Sequence, residues 1–197
     1  MSAIVSKVGV MVMDIGVPIR ELGKVECGAL IERVNTLDPQ VWDLCDIRQK
    51  KYDIHRHTKS IVMIFSEGWP DIRLARYPGW DVLAKFAMPI IEKVVAANYK
   101  PGGAIIRAMV ANLVKGGMIE EHYDAAPSFA VGHRIHVPLC TNADVTFTID
   151  GDPYKLEVGK AYELNNLVDH GVVNEGVEDR YHLIFDYVPP QPKMTKV

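Results

Sequence analysis

At 197 residues, with 48% apolar side chains and a mean hydropathy of +0.02, the chain is long enough for one compact domain with a sizeable core. A net charge of −3 and a pI near 6.2 leave no basic excess, which argues against nucleic acid or an anionic membrane as partner, whereas a small anion needs only local arginines. No run reaches the ~20 apolar residues of a transmembrane helix, and the short stretch Val8 to Val12 leads to Asp14 without a cleavage pattern. Cys27, Cys45 and Cys140 are odd in number, widely spaced and outside any C-x-x-C. Neither a disulfide framework nor a zinc knuckle is expected, and a reduced cytoplasm is the expected location.

In chain order, residues 17–40 read as a helix. Pro18 sits near its start, Leu22, Cys27, Leu30, Ile31 and Val34 recur at roughly helical spacing, and Asp38-Pro39 breaks the pattern. Its expected place is outside a sheet. The segment Tyr52 to Phe65 turns strand-like from Ser60 onward and ends in a loop around Gly68, Trp69 and Pro70. Trp69 and Trp80, which flank that loop, read as core before lid. Asp81 is the expected N-cap of a second helix, with Val82, Leu83, Phe86, Ile90, Val94 and Val95 on one side, a kink at Pro89, and Lys100-Pro101-Gly102-Gly103 as its end.

After Gly103 the texture changes to short alternating runs separated by turn residues, over 104–114, 118–123, 132–138, 144–150, 153–158, 161–165, 170–174 and 180–188. Asp150-Gly151-Asp152-Pro153 reads as a hairpin turn, preceded by Val145, Phe147 and Ile149 alternating with Thr146, Thr148 and Asp150. The expected fold is mainly β with flanking helices around a double-stranded β-helix, a cupin-like jelly roll. It forms one domain, with 1–102 a mixed helical part packed on the core, 103–188 the core and 189–197 a tail. No repeat, low-complexity tract or linker is visible.

The chemistry concentrates in His122-Tyr123-Asp124, then His170, then Arg180. In an extended strand residues i and i+2 share a side, so His122 and Asp124 can reach one ion together while Tyr123 turns away. Two imidazoles and a carboxylate leave half of an octahedral metal open for other ligands. An H-x-D triplet by itself is weak, since a chain with seven histidines offers such pairings by accident, and the same residues could be an exposed strand-end pair. Arg180 could equally pair with Glu178 or Asp179, and Arg134 could be solvated at a sheet edge. Strand period, however, puts Arg180, His182 and Ile184 on one face against Tyr181, Leu183 and Phe185, and Arg134, His136 and Pro138 together on another strand, unusual for a plain apolar core.

The neighbouring residues carry a resemblance. The segment His133-Arg134-Ile135-His136-Val137-Pro138-Leu139, then Thr141-Asn142, Leu164-Asn165-Asn166, His170, Val173-Asn174, and Arg180-Tyr181-His182-Leu183-Ile184-Phe185-Asp186 resembles the aspartyl/asparaginyl β-hydroxylase family of Fe(II)- and 2-oxoglutarate-dependent dioxygenases. The likeness runs from about Gly103 to Val188, with weaker echoes from Tyr52 to Ile61. It implies Fe(II) held by His122, Asp124 and His170. It further implies 2-oxoglutarate held by Arg180 at its distal carboxylate and by Arg134 at its metal-side carboxylate, with His136 orienting one of the two. Where relatives place a small hydroxyl residue, this chain has Ala111, and Asn112 is the nearest substitute. No catalytic protein group beyond the metal centre is expected.

Upstream, Asp53-Ile54-His55-Arg56-His57-Thr58 is a dense polar cluster whose His55 and His57 alternate like metal ligands, though such clusters more often line a pocket entrance. Arg56, His57 and Tyr52 are the expected contacts for the primary substrate. Asn165, Asn166 and Asn174 bracket His170 and could orient it or simply form turns. The activity so implied is hydroxylation of a C–H in an amino acid or in an Asp, Asn or Pro-type residue of a peptide, with molecular oxygen as the other reactant. The competing readings are a non-oxidative cupin-like binding protein and an isomerase or hydrolase using another metal. Oligomeric state is not legible.

Overall fold

The computed structural model describes residues 4–5, 11–46, 54, 56–68 and 71–190. In chain order its elements are β1 (Ile4–Val5), β2 (Met11–Val12), β3 (Ile19–Lys24), α1 (Gly28–Asn35), β4 (Thr58–Glu67), β5 (Arg73–Arg76), α2 (Gly79–Asn98), β6 (Ala104–Leu113), β7 (Met118–His122), β8 (His133–Cys140), β9 (Val145–Ile149), β10 (Asp152–Tyr154), β11 (Lys160–Leu164), β12 (His170–Asn174) and β13 (Arg180–Val188). A seven-stranded antiparallel sheet runs β3-β11-β8-β13-β6-β4-β5, and a four-stranded one runs β10-β9-β12-β7. Two facing sheets are the jelly roll that the spacing of strands predicts. Among the described residues no helix is long and apolar enough to cross a membrane.

The period-2 alternation divides the large sheet into two unlike faces. Ile61, Met63, Ala108, Val110, Ile135, Val137, Leu183 and Phe185 point outward and are covered by Leu30 and Val34 of α1 and by Leu83, Ala87, Ile91 and Val94 of α2. Trp80 packs against this cluster, with Arg76 stacked 3.9 Å over its ring. The inward face carries Arg107, Arg134, His136, Arg180 and His182 beside Met109 and Ala111. The small sheet closes over it with Val145, Phe147, Ile149 and Val172. The β9–β10 hairpin turns through Asp150 and Gly151, both at positive φ (53° and 82°), the mirror-image turn that an Asp-Gly pair favours.

Two expectations fail. Residues 17–40 are not one helix: Ile19–Lys24 is a strand, and only Gly28–Asn35 is α-helical, followed by a 3-10 turn at Pro39–Asp43. The helical spacing from Leu22 to Val34 describes the second half well, but the first half is captured by pairing with Lys160–Leu164, a partner that local sequence does not reveal. That edge is anchored by Arg20, which pairs with the buried Glu163. His133 takes the other oxygen of Glu163, and Tyr99 donates to it at 3.0 Å. The second error is at Asp81, which lies in the first turn of α2 and does not cap it; the helix begins two residues earlier behind Pro78, without a side-chain cap. Residues before 103 therefore supply three strands of the main sheet as well as its helical cover. All three cysteines are free.

Candidate metal and carboxylate site

A cavity of about 240 Å³ lies between the sheets. On its small-sheet side His122 ends β7 and His170 opens β12, as cross-strand partners. Each ring's Nδ1 meets the carbonyl two residues earlier, Glu120 at 2.8 Å and Val168 at 2.9 Å, so Nδ1 donates and the Nε2 lone pair is left to face inward. Asp124, fixed by its own N–H to the Asn166 carbonyl at 3.1 Å, brings an oxygen to within 3.9 Å of His170 Nε2. Ligand atoms of His122, Asp124 and His170 all lie within 4.8 Å of one another. Burial holds the His170 imidazole below its ordinary value, against the Val168 hydrogen bond and the Asp124 charge. Neutral imidazole is the form a metal takes.

The spacing of the two histidines depends on a bulge. The β12–β7 register shifts between His170 and Val172, and Gly171 sits in the gap. A Cβ there would come within 3.0 Å of the Ile119 carbonyl oxygen and 3.1 Å of the Glu121 nitrogen, both backbone atoms of β7.

Asp124 is gripped by Arg134 at the same oxygen that approaches His170. Arg134 donates from Nη1 to Asp124 at 2.6 Å and makes a two-pronged contact to Asp186, with Nε and Nη2 each at 3.0 Å. Asp186 also accepts from Arg107 at 3.0 Å, and Arg107 reaches the Ser128 hydroxyl at 2.6 Å. Burial raises the Asp186 carboxyl, but Arg134 and Arg107 outweigh it and leave the group below its ordinary value. Both guanidiniums stack on Phe129, at 4.1 and 4.4 Å, and Arg107 also lies 5.5 Å over Phe65. Arg134 therefore contacts Asp124 directly, a partner that the resemblance does not imply for it.

On the inner face of β13, Arg180 is 2% exposed and lies 4.8 Å over the Phe147 ring. Leu113 pairs with Arg180 on one side and with Thr58 on the other, so Thr58, Leu113 and Arg180 form one row across three strands, and Thr58 and Arg180 both line the cavity. Thr58 thus offers the hydroxyl residue that Ala111 does not. Asn112 also lines the cavity, and its amide nitrogen donates one of its two N–H bonds to Asp179 at 2.8 Å. His136 lines the cavity too, and its Nδ1 lies 3.3 Å from Nδ1 of the fully buried His182.

The expected substrate cluster is placed differently. Arg56 pairs with Glu120 at 2.7 Å with more than half of each side chain exposed, and His57 meets the Met118 backbone along the outer edge of β7. Neither lines the cavity, whereas Ile54 and Thr58 of the same segment do. Tyr52, His55 and Trp69 lie outside the described residues. Asn165, Asn166 and Asn174 staple turns: their side chains bond Leu167 and Asp14, the Phe129 carbonyl, and the Leu113 and Glu178 carbonyls, and none orients the His170 ring. Sequence reasoning missed Ser128, Phe129 and Phe147 as site residues; Arg107 is legible by strand parity, since it shares a face with Met109 and Ala111.

A family model described as aspartyl/asparaginyl beta-hydroxylase matches residues 35–190. No curated protein matches the chain in sequence. Among solved structures, it is similar to an oxidoreductase of the 2OG-Fe(II) oxygenase family from Burkholderia pseudomallei, at 14% identity over 68% of this chain and 69% of that one, TM-score 0.52. It is also similar to a prolyl hydroxylase in complex with a hypoxia inducible factor oxygen degradation domain peptide fragment from Trichoplax adhaerens, at 12% identity over 87% and 83%, TM-score 0.52. A non-heme monooxygenase, ThoJ, in a nickel complex, gives 12% identity over 88% and 74%, TM-score 0.52. At these identities the likeness is one of fold.

Proposed function

The chain belongs to the aspartyl/asparaginyl β-hydroxylase family, and from that premise we propose that it is an Fe(II)- and 2-oxoglutarate-dependent dioxygenase. Its reaction would hydroxylate a C–H of an amino acid or of a single Asp, Asn or Pro-type residue in a peptide. The observation that carries this reading is one cavity lined both by a convergent His122, Asp124 and His170 and by a buried arginine, Arg180. The donor set fits the metal: two imidazoles whose Nδ1 protons are engaged behind them, and one carboxylate oxygen, suit a ferrous ion and leave positions for other ligands.

His122, Asp124 and His170 would hold Fe(II), which when bound supplies the oxidising chemistry that couples 2-oxoglutarate and O2 to succinate, CO2 and a hydroxylated product. The protein's own part is binding and orientation. Arg180 offers the distal carboxylate of the co-substrate a planar two-pronged fork, and Thr58 stands in its row. His136 offers a donor to a co-substrate carboxylate. Arg134 keeps Asp124 aimed at the ion while its other donors remain on Asp186. Phe65 and Phe129, bridged by Arg107, form an apolar wall with a cationic centre, and the exposed Tyr123 stands at the mouth. The cavity of about 240 Å³ would be shared by the co-substrate and the reacting part of the substrate, an amino acid or one inserted side chain.

Succinate release tests this. Purified protein with Fe(II), 2-oxoglutarate and O2 is expected to form succinate, and a panel of free amino acids and short peptides should contain members that raise the rate and gain one oxygen atom. No succinate above a metal-free control would sink the reading and leave a non-oxidative metal site.

A further inference from the structure

We propose that Arg107 is a specificity-determining residue that takes a carboxylate of the primary substrate, so that an anionic substrate is selected over a neutral one of the same shape. The inference deepens the function proposed above and rests on it. Arg107 lines the cavity and is 5% exposed. A guanidinium carries five N–H donors in a fixed fork. Among the described residues two of them are used, one on Nη1 to Asp186 at 3.0 Å and one on Nη2 to Ser128 at 2.6 Å, while Nε is buried and bonds nothing. The remaining donors of a buried cation are thus left without an acceptor, and charged donors are among the costliest groups to leave unmet.

A purely structural role would make Arg107 the counter-charge of Asp186, but Asp186 does not need a second one. Arg134 already meets both of its oxygens, from Nε and Nη2 at 3.0 Å each. The balance of charge points the same way. Among the described residues the cavity and the carboxylate behind it bring three arginines, Arg107, Arg134 and Arg180, against two acids, Asp124 and Asp186. A ferrous ion and a doubly charged 2-oxoglutarate cancel each other, so the loaded site keeps one positive charge with its imidazoles counted as neutral, and a proton on any of them only adds to it. One substrate carboxylate restores the balance where water cannot.

Register assigns Arg107 to the second reactant. Arg107, Asp186 and Arg134 stand opposite one another on β6, β13 and β8, in the row whose Arg134 grips Asp124. Arg180 opens the same β13 at its other end, opposite Leu113 and about 20 Å away by strand rise. A co-substrate with one carboxylate on Arg180 and the other at the metal has none left for Arg107. The guanidinium lies 4.1 Å over Phe129 and 5.5 Å over Phe65, so aromatic rings cover its flat faces and an anion is met at its N–H rim. The carboxylate can be the α-carboxylate of a free amino acid or the side chain of an acidic residue in a peptide.

Calorimetric titration of wild-type protein loaded with manganese and 2-oxoglutarate under nitrogen tests this without turnover. The probes are two matched pairs that differ by one carboxylate: L-asparagine with L-asparaginamide, and the blocked tripeptides acetyl-Gly-Asp-Gly-amide with acetyl-Gly-Asn-Gly-amide. In one pair the acid should bind roughly ten- to a hundredfold more tightly than its amide. The first pair responding identifies an α-carboxylate, the second a side-chain carboxylate. Equal affinities within both pairs, or no binding by either acid, would overturn the inference. Failure of 2-oxoglutarate itself to bind shows before any probe is added and counts against the proposed function instead. The acid-to-amide ratio is then measured in two variants. It should vanish in Arg107→Gln, where Arg134 still holds Asp186, and survive in large part in Arg107→Lys, which keeps the charge. General loosening of the site lowers both members of a pair and leaves their ratio alone, so an unchanged ratio in Arg107→Gln would make Arg107 structural and sink the proposal.

Discussion

His133 and Arg134 are neighbours on β8, yet they serve two buried ionic clusters on opposite faces of the same sheet. On the outer face Glu163, 1% exposed, holds Arg20, His133 and Tyr99, and Tyr99 stacks on the His133 ring at 4.3 Å under the end of α2. None of its members lines the cavity. On the inner face Asp186 holds Arg134 and Arg107, and the chain of contacts leads through Asp124 into the cavity beside two histidines whose Nε2 atoms face inward. The lesson is that buried charge alone does not mark a site, because both clusters have it. What separates them is whether the last member of the chain has a lone pair left for something the protein does not contain.

That contrast can be broken in four places. The largest effect is expected from His170→Ala, which removes a ligand outright. Iron affinity should fall by more than the roughly 10–100-fold that outer partners of ligands cost, with the unfolding midpoint little changed; retained affinity in a metal titration would remove His170 from the site. Asp186→Asn comes next, because it leaves Arg134 and Arg107 buried against a neutral partner. A loss of about 3–5 kcal/mol in denaturant unfolding is expected, with weaker metal binding through the loosened Asp124. The sign in pH follows from the depressed carboxyl of Asp186. Its contribution is fully present above the unfolded value near about 3.9 and is lost as pH falls from there through the folded value, so the variant should flatten the acid side of the stability curve.

Arg180→Lys should keep the charge and lose the fork. 2-Oxoglutarate affinity is expected to drop by about 1.5–3 kcal/mol per lost contact, with iron binding intact, and an unchanged affinity by calorimetry would take Arg180 out of the clamp. The smallest effect is expected on the outer face. Glu163→Gln weakens contacts to an Arg20 whose side chain is already 35% exposed and can recover hydration, so a cost of about 1 kcal/mol is expected in unfolding. Metal and co-substrate affinities should not move. If they do, the two faces are coupled through β8 and the division drawn here fails.

Much of the inner face was legible because a strand reports its faces by parity. Arg134 with His136, and Arg180 with His182, fall out of a period of two, and the eight strands after Gly103 lie close to where turn residues punctuate the chain. The histidine pair and Asp124 were legible as a pattern, and their convergence needed the fold. The outer cluster was illegible because Arg20 and Glu163 are 143 residues apart and meet only through the β3–β11 pairing. The same non-local pairing hid β3 inside an apparent helix. Arg56 misled for the opposite reason: a cation near a site in sequence was read as facing it, when Glu120 holds it on the surface.

Gly171 sets a limit on how this protein can diverge. The cavity walls are side chains, and a lineage can exchange Phe65, Met109 or Ile184 for neighbours of similar size and so move from one substrate to another by small steps. The gap between β12 and β7 offers no such path. A methyl group at position 171 would press on the strand that carries His122, because two of the three atoms it meets, the Ile119 carbonyl oxygen and the Glu121 nitrogen, are backbone and have no rotamer to move into. Substrate preference is thus free to drift around a pair of histidines whose separation leans on a small residue at position 171, and directed evolution of this scaffold should find more of its tolerated changes on the large sheet and its mouth than at position 171.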